Sequence, residues 1–139
     1  MVYFFILNGV IVLYASVVGG YAFRKAINNN PEKEVAWRVV HSGGSMAGIM
    51  LIVFGCAWKY IALGKYEYFL GWSLIVSTQL LVIGMFAAAI TGKRGLKPDA
   101  KGIGKIVFLL YATGGAVCTL ALTGILIGLI LQGEIVARH

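Results

Sequence analysis

Charge is scarce in this chain: Asp, Glu, Lys and Arg make up only 12% of its 139 residues, where a soluble domain carries about twice that fraction. Acid is scarcer still, with five carboxylates against twelve basic residues. The two cysteines, Cys56 and Cys118, lie in separate apolar stretches and form no CxxC pair. Neither a disulfide scaffold nor a thiolate metal centre is expected from them, and both read as small core residues. The glycine-rich stretch 92–104 lacks the order of a phosphate-binding loop. Residues 1–23 have no basic leader and no small-residue cleavage site, so they are expected to be a retained helix and not a signal peptide. What is abundant is apolar length. No charged residue occurs in 1–23, 39–58, 68–92 or 106–133, and about 20 apolar residues suffice for a helix to cross a bilayer. A soluble enzyme and a nucleic-acid module are thereby excluded. The expected fold is all-α, an integral membrane four-transmembrane-helix bundle forming one domain over 1–139, with spans at about 2–23, 39–58, 68–91 and 106–132.

The bunching of the charges orients the bundle. The connectors 24–38 and 93–105 hold nine of the twelve basic residues, and with four spans they lie on one side. The positive-inside rule makes that side cytoplasmic and puts both termini outside. The net charge of +7 is thus an orientation signal, suited also to anionic lipid headgroups, and no nucleic-acid partner is implied. Asn28, Asn29, Asn30 and Pro31 break the first connector, and 32–38 is expected to form a short interfacial helix. Trp37 and Trp58 bracket the second span, and Tyr66, Tyr68 and Trp72 open the third, the positions where aromatic rings settle at headgroup level. Small residues recur at four-residue spacing, as Gly44 and Gly48 in the second span and Gly124 and Gly128 in the fourth, with Gly115, Thr119 and Thr123 forming a further stripe. Such stripes serve either packing within the chain or a seam between copies.

Within the spans the informative residues are polar. Gln79, near the middle of the third, is expected to hydrogen-bond across helices. His41 lies one turn beyond Arg38, with Ser45 one turn further on and Gly48 after it. An ionisable group at membrane depth has a partner or a function. The stripe His41-x3-Ser45-x2-Gly48 leaves room above an imidazole for a planar ligand such as haem, although an interhelical hydrogen bond or a merely interfacial position is the simpler explanation of a lone histidine. His139 falls on the opposite side of the membrane, so two histidines of one chain do not share a haem.

The segment Trp37-Arg-Val-Val-His41-Ser42-Gly43 resembles the haem-binding segment of the styrene oxide isomerase family, small bacterial membrane enzymes of four spans. Val18-Gly19-Gly20 and Arg94-Gly95-Leu96 agree with that family in order and spacing. The resemblance implies haem b ligated by His41, a bacterial-type inner membrane and a homotrimer. It also implies that ferric iron acts as a Lewis acid on an apolar epoxide, which rearranges by a hydride shift to a carbonyl compound. Two positions depart from the family: Ala47 stands where it has Asn, and Met85 where it has a Tyr that helps hold the substrate.

The candidate metal ligand is therefore His41. Ser45, Gly48 and Trp37 are candidate haem contacts, Arg38 and Arg94 candidate partners of the propionates, and Met85 a candidate sixth ligand. If Met85 ligates, Lewis-acid chemistry is blocked, and a non-catalytic haem protein for electron transfer or sensing becomes the alternative. A cofactor-free accessory subunit, with His41 as a structural hydrogen-bonder, is the third reading.

Overall fold

The computed structural model describes residues 1–61, 63–93 and 97–136, with side chains as far as Gln132. It is all-α. Four long helices, α1 (Val2–Asn29), α2 (Pro31–Ala57), α3 (Glu67–Thr91) and α4 (Ile103–Val136), are joined between α2 and α3 by the 3₁₀ turns Trp58–Tyr60 and Gly64–Tyr66. Each of the four is long and apolar enough to cross a membrane, which makes the chain an integral membrane protein.

The helices run past the charge-free stretches. α1 continues to Asn29, and a single residue, Asn30 at φ −155° and ψ 75°, separates it from α2. The short interfacial helix expected over 32–38 is instead the first two turns of α2. Pro31 occupies the helix start, where its missing N–H costs nothing, and Glu32 and Glu34 suit the positive end of the helix dipole. Gly92 (φ 70°) ends α3 in the left-handed conformation, with its N–H on the Ala88 carbonyl.

α1 packs along α2 and α3 along α4, while α2 bridges the two pairs through α3. Glycine sets the closeness of the first pair. A Cβ on Gly9 would lie 2.8 Å from the Gly48 carbonyl oxygen, and one on Gly48 would lie 2.8 Å from that of Gly9. Gly44 faces Ser16 in the same groove, while Gly124 and Gly128 face Leu70 and Leu63. Both glycine pairs therefore serve contacts within the chain. Gly115 has nothing within 4 Å of where its Cβ would be, and Thr119 and Thr123 are exposed, so this stripe faces outward.

Phe5, Val12, Leu51, Leu74 and Ile125 fill the core. Trp58, at the end of the second span, joins them: it is 2% exposed, its ring centroid lies 4.6 Å from that of Phe5, and its indole N–H donates to Glu67 at 2.8 Å. With its one polar atom satisfied, the ring is free to be buried. Gln79 behaves as expected, donating from Nε2 to Asn8 Oδ1 at 3.0 Å and tying α3 to α1.

Candidate functional site

His41 lies on α2 at the edge of the α1–α2 seam. A Cβ on Gly20 would come within 3.0 Å of its Nδ1 and 3.2 Å of its Cε1, so the ring is seated where α1 carries no side chain. Nδ1 is 3.0 Å from the Ser16 carbonyl oxygen. That oxygen can only accept, so Nδ1 carries the hydrogen and donates it. In the neutral ring Nε2 is then the bare nitrogen, and the exposed imidazole has no second hydrogen-bond partner among the described residues. A histidine whose far nitrogen is pinned to a carbonyl is the arrangement found behind metal-ligating imidazoles, because it fixes both tautomer and ring direction.

Ser16 and Ser45 consolidate this point of the seam. Each hydroxyl lies 2.7 Å from the His41 carbonyl oxygen, and the two lie 2.5 Å from one another. Two hydroxyl hydrogens serve the three sides of this triangle, so one side always lacks a proton between its two oxygens. Ser42 turns back to the Arg38 carbonyl at 2.8 Å. No cluster of three or more His, Cys, Asp or Glu side chains gathers among the described residues. A bare ion therefore has no ligand set there, whereas haem brings four ligands of its own and asks the protein for one or two.

On the other side of α2 a cavity of about 570 Å³ opens between α2, α3 and α4. Val39, Met85, Ala88, Phe108, Tyr111 and Ala112 form its walls. Lys33 stands at its polar end and donates from Nζ to the Ile90 carbonyl at 3.1 Å, joining the start of α2 to the end of α3. A Cβ on Gly43 would lie 3.2 Å from both Sδ and Cε of Met85, which places the thioether against that side of α2.

A family model described as styrene oxide isomerase matches residues 3–130, nearly the whole of the four-helix bundle. The chain belongs to the styrene oxide isomerase family. No curated protein and no solved structure matches it, so the family model carries the assignment.

Within this member of the styrene oxide isomerase family, the residues singled out by sequence do not gather around one point. His41 keeps a ring nitrogen open to a ligand. Ser45 is half-buried and bonded to Ser16, and Gly48 is buried against Gly9 and Leu13, so both serve the α1 contact and do not line free space above the ring. Trp37 meets Phe86 of α3 edge-on, with centroids 6.0 Å apart. Arg38 is exposed at the same helix end, as a propionate partner needs to be, and Arg94 lies outside the described residues. Met85 and His41 sit against opposite sides of α2, because positions 41 and 43 are about 200° apart on a helix. One chain thus does not bring them to the same iron. Ala47 is half-buried against the core. Sequence reasoning missed Ser16, whose carbonyl sets the histidine tautomer and which left no side-chain signal. It also missed Tyr111, whose only mark is a phenol in a charge-free run.

Proposed function

We propose that the chain binds haem b through Nε2 of His41 and works as a membrane isomerase of apolar epoxides, converting them to carbonyl compounds. The observation that carries this reading is the 3.0 Å contact from Nδ1 to the Ser16 carbonyl, which leaves Nε2 basic, unpaired and outward. Membership of the styrene oxide isomerase family supports it independently. The donor set fits a b-type haem with one strong axial ligand. A Cβ at position 20 would crowd the imidazole, which the glycine avoids.

Haem, when bound, supplies a Lewis-acidic iron that can polarise the C–O bond of an epoxide. The chain's own residues supply the rest. Ser16 holds His41 in one tautomer and one direction, and Gly20 seats the ring. Arg38 offers a guanidinium for a propionate at the same membrane face. The surrounding apolar spans keep water from a developing cationic carbon. Because His41 stands on an exposed side of the single chain, a second copy is needed to enclose its ligand, and a homotrimer follows by family analogy. The orientation set by the positive-inside rule places the site near the cytoplasmic face of an inner membrane, with both termini outside.

The placement of Met85 on the far side of α2 favours an open iron over the His/Met ligation of an electron carrier. Absorption spectra of protein purified in mild detergent, oxidised and then reduced, test the reading. We expect a stoichiometric Soret band with high-spin ferric features in the wild type, and its loss in His41→Ala with the helical circular dichroism unchanged. A low-spin spectrum would transfer the function to electron carriage. Full haem retention in His41→Ala would end the ligand assignment.

A further inference from the structure

We infer that the groove between α3 and α4, at the end of the bundle that carries the α2–α3 turn, is a binding site for an anionic phospholipid of the surrounding membrane. One acyl chain lies in the groove and the headgroup phosphate meets Lys65. The site is on the lipid-facing surface, and the inference stands whether or not His41 holds haem.

The groove has a volume of about 490 Å³ and is lined by Tyr68, Phe69, Trp72, Ser73 and Val76 of α3 and by Val117 of α4. Positions 68, 72 and 76 recur every four residues with 69 and 73 beside them, so they form one stripe about 12 Å long on the first turns of α3. Phe69, Trp72 and Val76 are exposed on a helix that crosses the membrane, so hydrocarbon and not water covers them. A Cβ on Gly114 would lie 3.1 Å from the Ser77 carbonyl oxygen. The two backbones thus meet one residue past Val76 and three before Val117, which bounds the inner end of the groove. The Trp72 ring is held by Phe4 of α1, with centroids 5.1 Å apart, and Phe4 meets Tyr3 at 5.6 Å. A wall fixed in advance spends less of the binding energy on ordering itself.

The polar groups at the open end choose the headgroup. The Trp72 indole N–H and the hydroxyls of Tyr68 and Ser73 have no hydrogen-bond partner among the described residues. Each can donate, and the ester carbonyls and phosphate of a phospholipid accept. Lys65 stands two residues before α3, its ammonium 5.2 Å from the Tyr66 ring centroid and unpaired with any carboxylate among the described residues. The one acid of this turn, Glu67, is already engaged, its carboxylate accepting from the Trp58 indole at 2.8 Å. Free charge at this end is therefore positive, which favours an anionic headgroup over a zwitterionic one.

The test places the full-length chain in phosphatidylcholine nanodiscs with a trace of phosphatidylglycerol or phosphatidylcholine carrying a diazirine in one acyl chain. Cross-links made on illumination are mapped by mass spectrometry. Both probes should concentrate on 68–76 and 117, with phosphatidylglycerol labelling roughly fivefold the stronger, the ratio one basic residue at a headgroup supplies. Lys65→Gln should erase that excess and leave phosphatidylcholine labelling unchanged, whereas Val117→Trp should fill the groove and remove the concentrated labelling by both. Should Val117→Trp fail to fold, Val76→Trp fills the groove from α3. His41→Ala should give the wild-type map. Labelling spread evenly over the lipid-facing helix surfaces, or an excess that survives Lys65→Gln, overturns the proposal. So does a second copy seated on the groove, read as a disulfide between copies at Phe69→Cys, in a background without Cys56 and Cys118, together with no lipid label there.

Discussion

Ser16 meets His41 twice, through a hydroxyl and through a carbonyl, and substitution can remove only the first. In Ser16→Ala the carbonyl still accepts from Nδ1, and Ser45 still donates to the His41 carbonyl. The expected result is a loss of about 1 kcal/mol in stability, read from thermal unfolding in detergent, with the haem spectrum unchanged. Gly20→Val works the other way. Its Cβ falls 3.0 Å from Nδ1, so the ring must leave its seat and the Ser16 contact with it. Haem content per chain, assayed as the pyridine haemochrome, should fall several-fold while the bundle stays helical. His41 and Gln79 are legible from sequence because a polar side chain within a charge-free run stands out. Ser16 is not, since a backbone carbonyl has no residue identity to read. Tyr111 is hidden for a related reason: an aromatic ring in an apolar run reads equally as a lipid contact, and only packing against Gly84 gives it a direction.

Among the elements, the α1–α2 seam depends on backbone touching backbone. A Cβ at position 48 meets the Gly9 carbonyl at 2.8 Å and the Leu13 side chain at 2.7 Å, and main chain cannot move aside as a side-chain tip can. Gly48→Ala should therefore cost about 1–3 kcal/mol and lower the unfolding midpoint, whereas Gly115→Ala, at a site with open space around it, should leave the midpoint unchanged. The four helices are legible from the charge-free runs, because a bilayer leaves the backbone few other ways to satisfy its hydrogen bonds. Their ends are less so. The run 28–30 promises a wide break, yet Asn30 alone makes it, since Pro31 starts a helix as readily as it stops one. Trp58 eludes the sequence for the opposite reason, its burial depending on Glu67, nine residues away.

At the scale of the molecule, the Lys33–Ile90 bond puts the α1–α2 turn and the end of α3 at the same face of the bundle. From the concentration of basic residues there, we propose that this face is the cytoplasmic one. In intact cells an impermeant maleimide should label Lys65→Cys and should reach Lys101→Cys only after permeabilisation, both in a background without Cys56 and Cys118. The reverse pattern would invert the topology. The two halves, α1 with α2 and α3 with α4, are joined partly by the single amide pair Asn8 and Gln79. Gln79→Leu should destabilise the bundle by about 0.6–2 kcal/mol without loosening either half. Denaturant unfolding followed by the fluorescence of tryptophans on each half checks this.

That amide pair also has a bearing on how the chain is made. Each half is a hairpin that satisfies most of its own packing, so it can enter the bilayer as a unit during synthesis. Asn8 arrives with the first hairpin, 71 residues ahead of its partner. Its Nδ2 donates to the Phe4 carbonyl of its own helix at 2.8 Å, so one amide hydrogen is satisfied from the start. Oδ1 is left waiting. The bond from Gln79 forms once the second hairpin has been threaded and turned to face the first, which makes it a late latch in biogenesis, closed by a residue the ribosome has yet to reach when Asn8 enters the membrane.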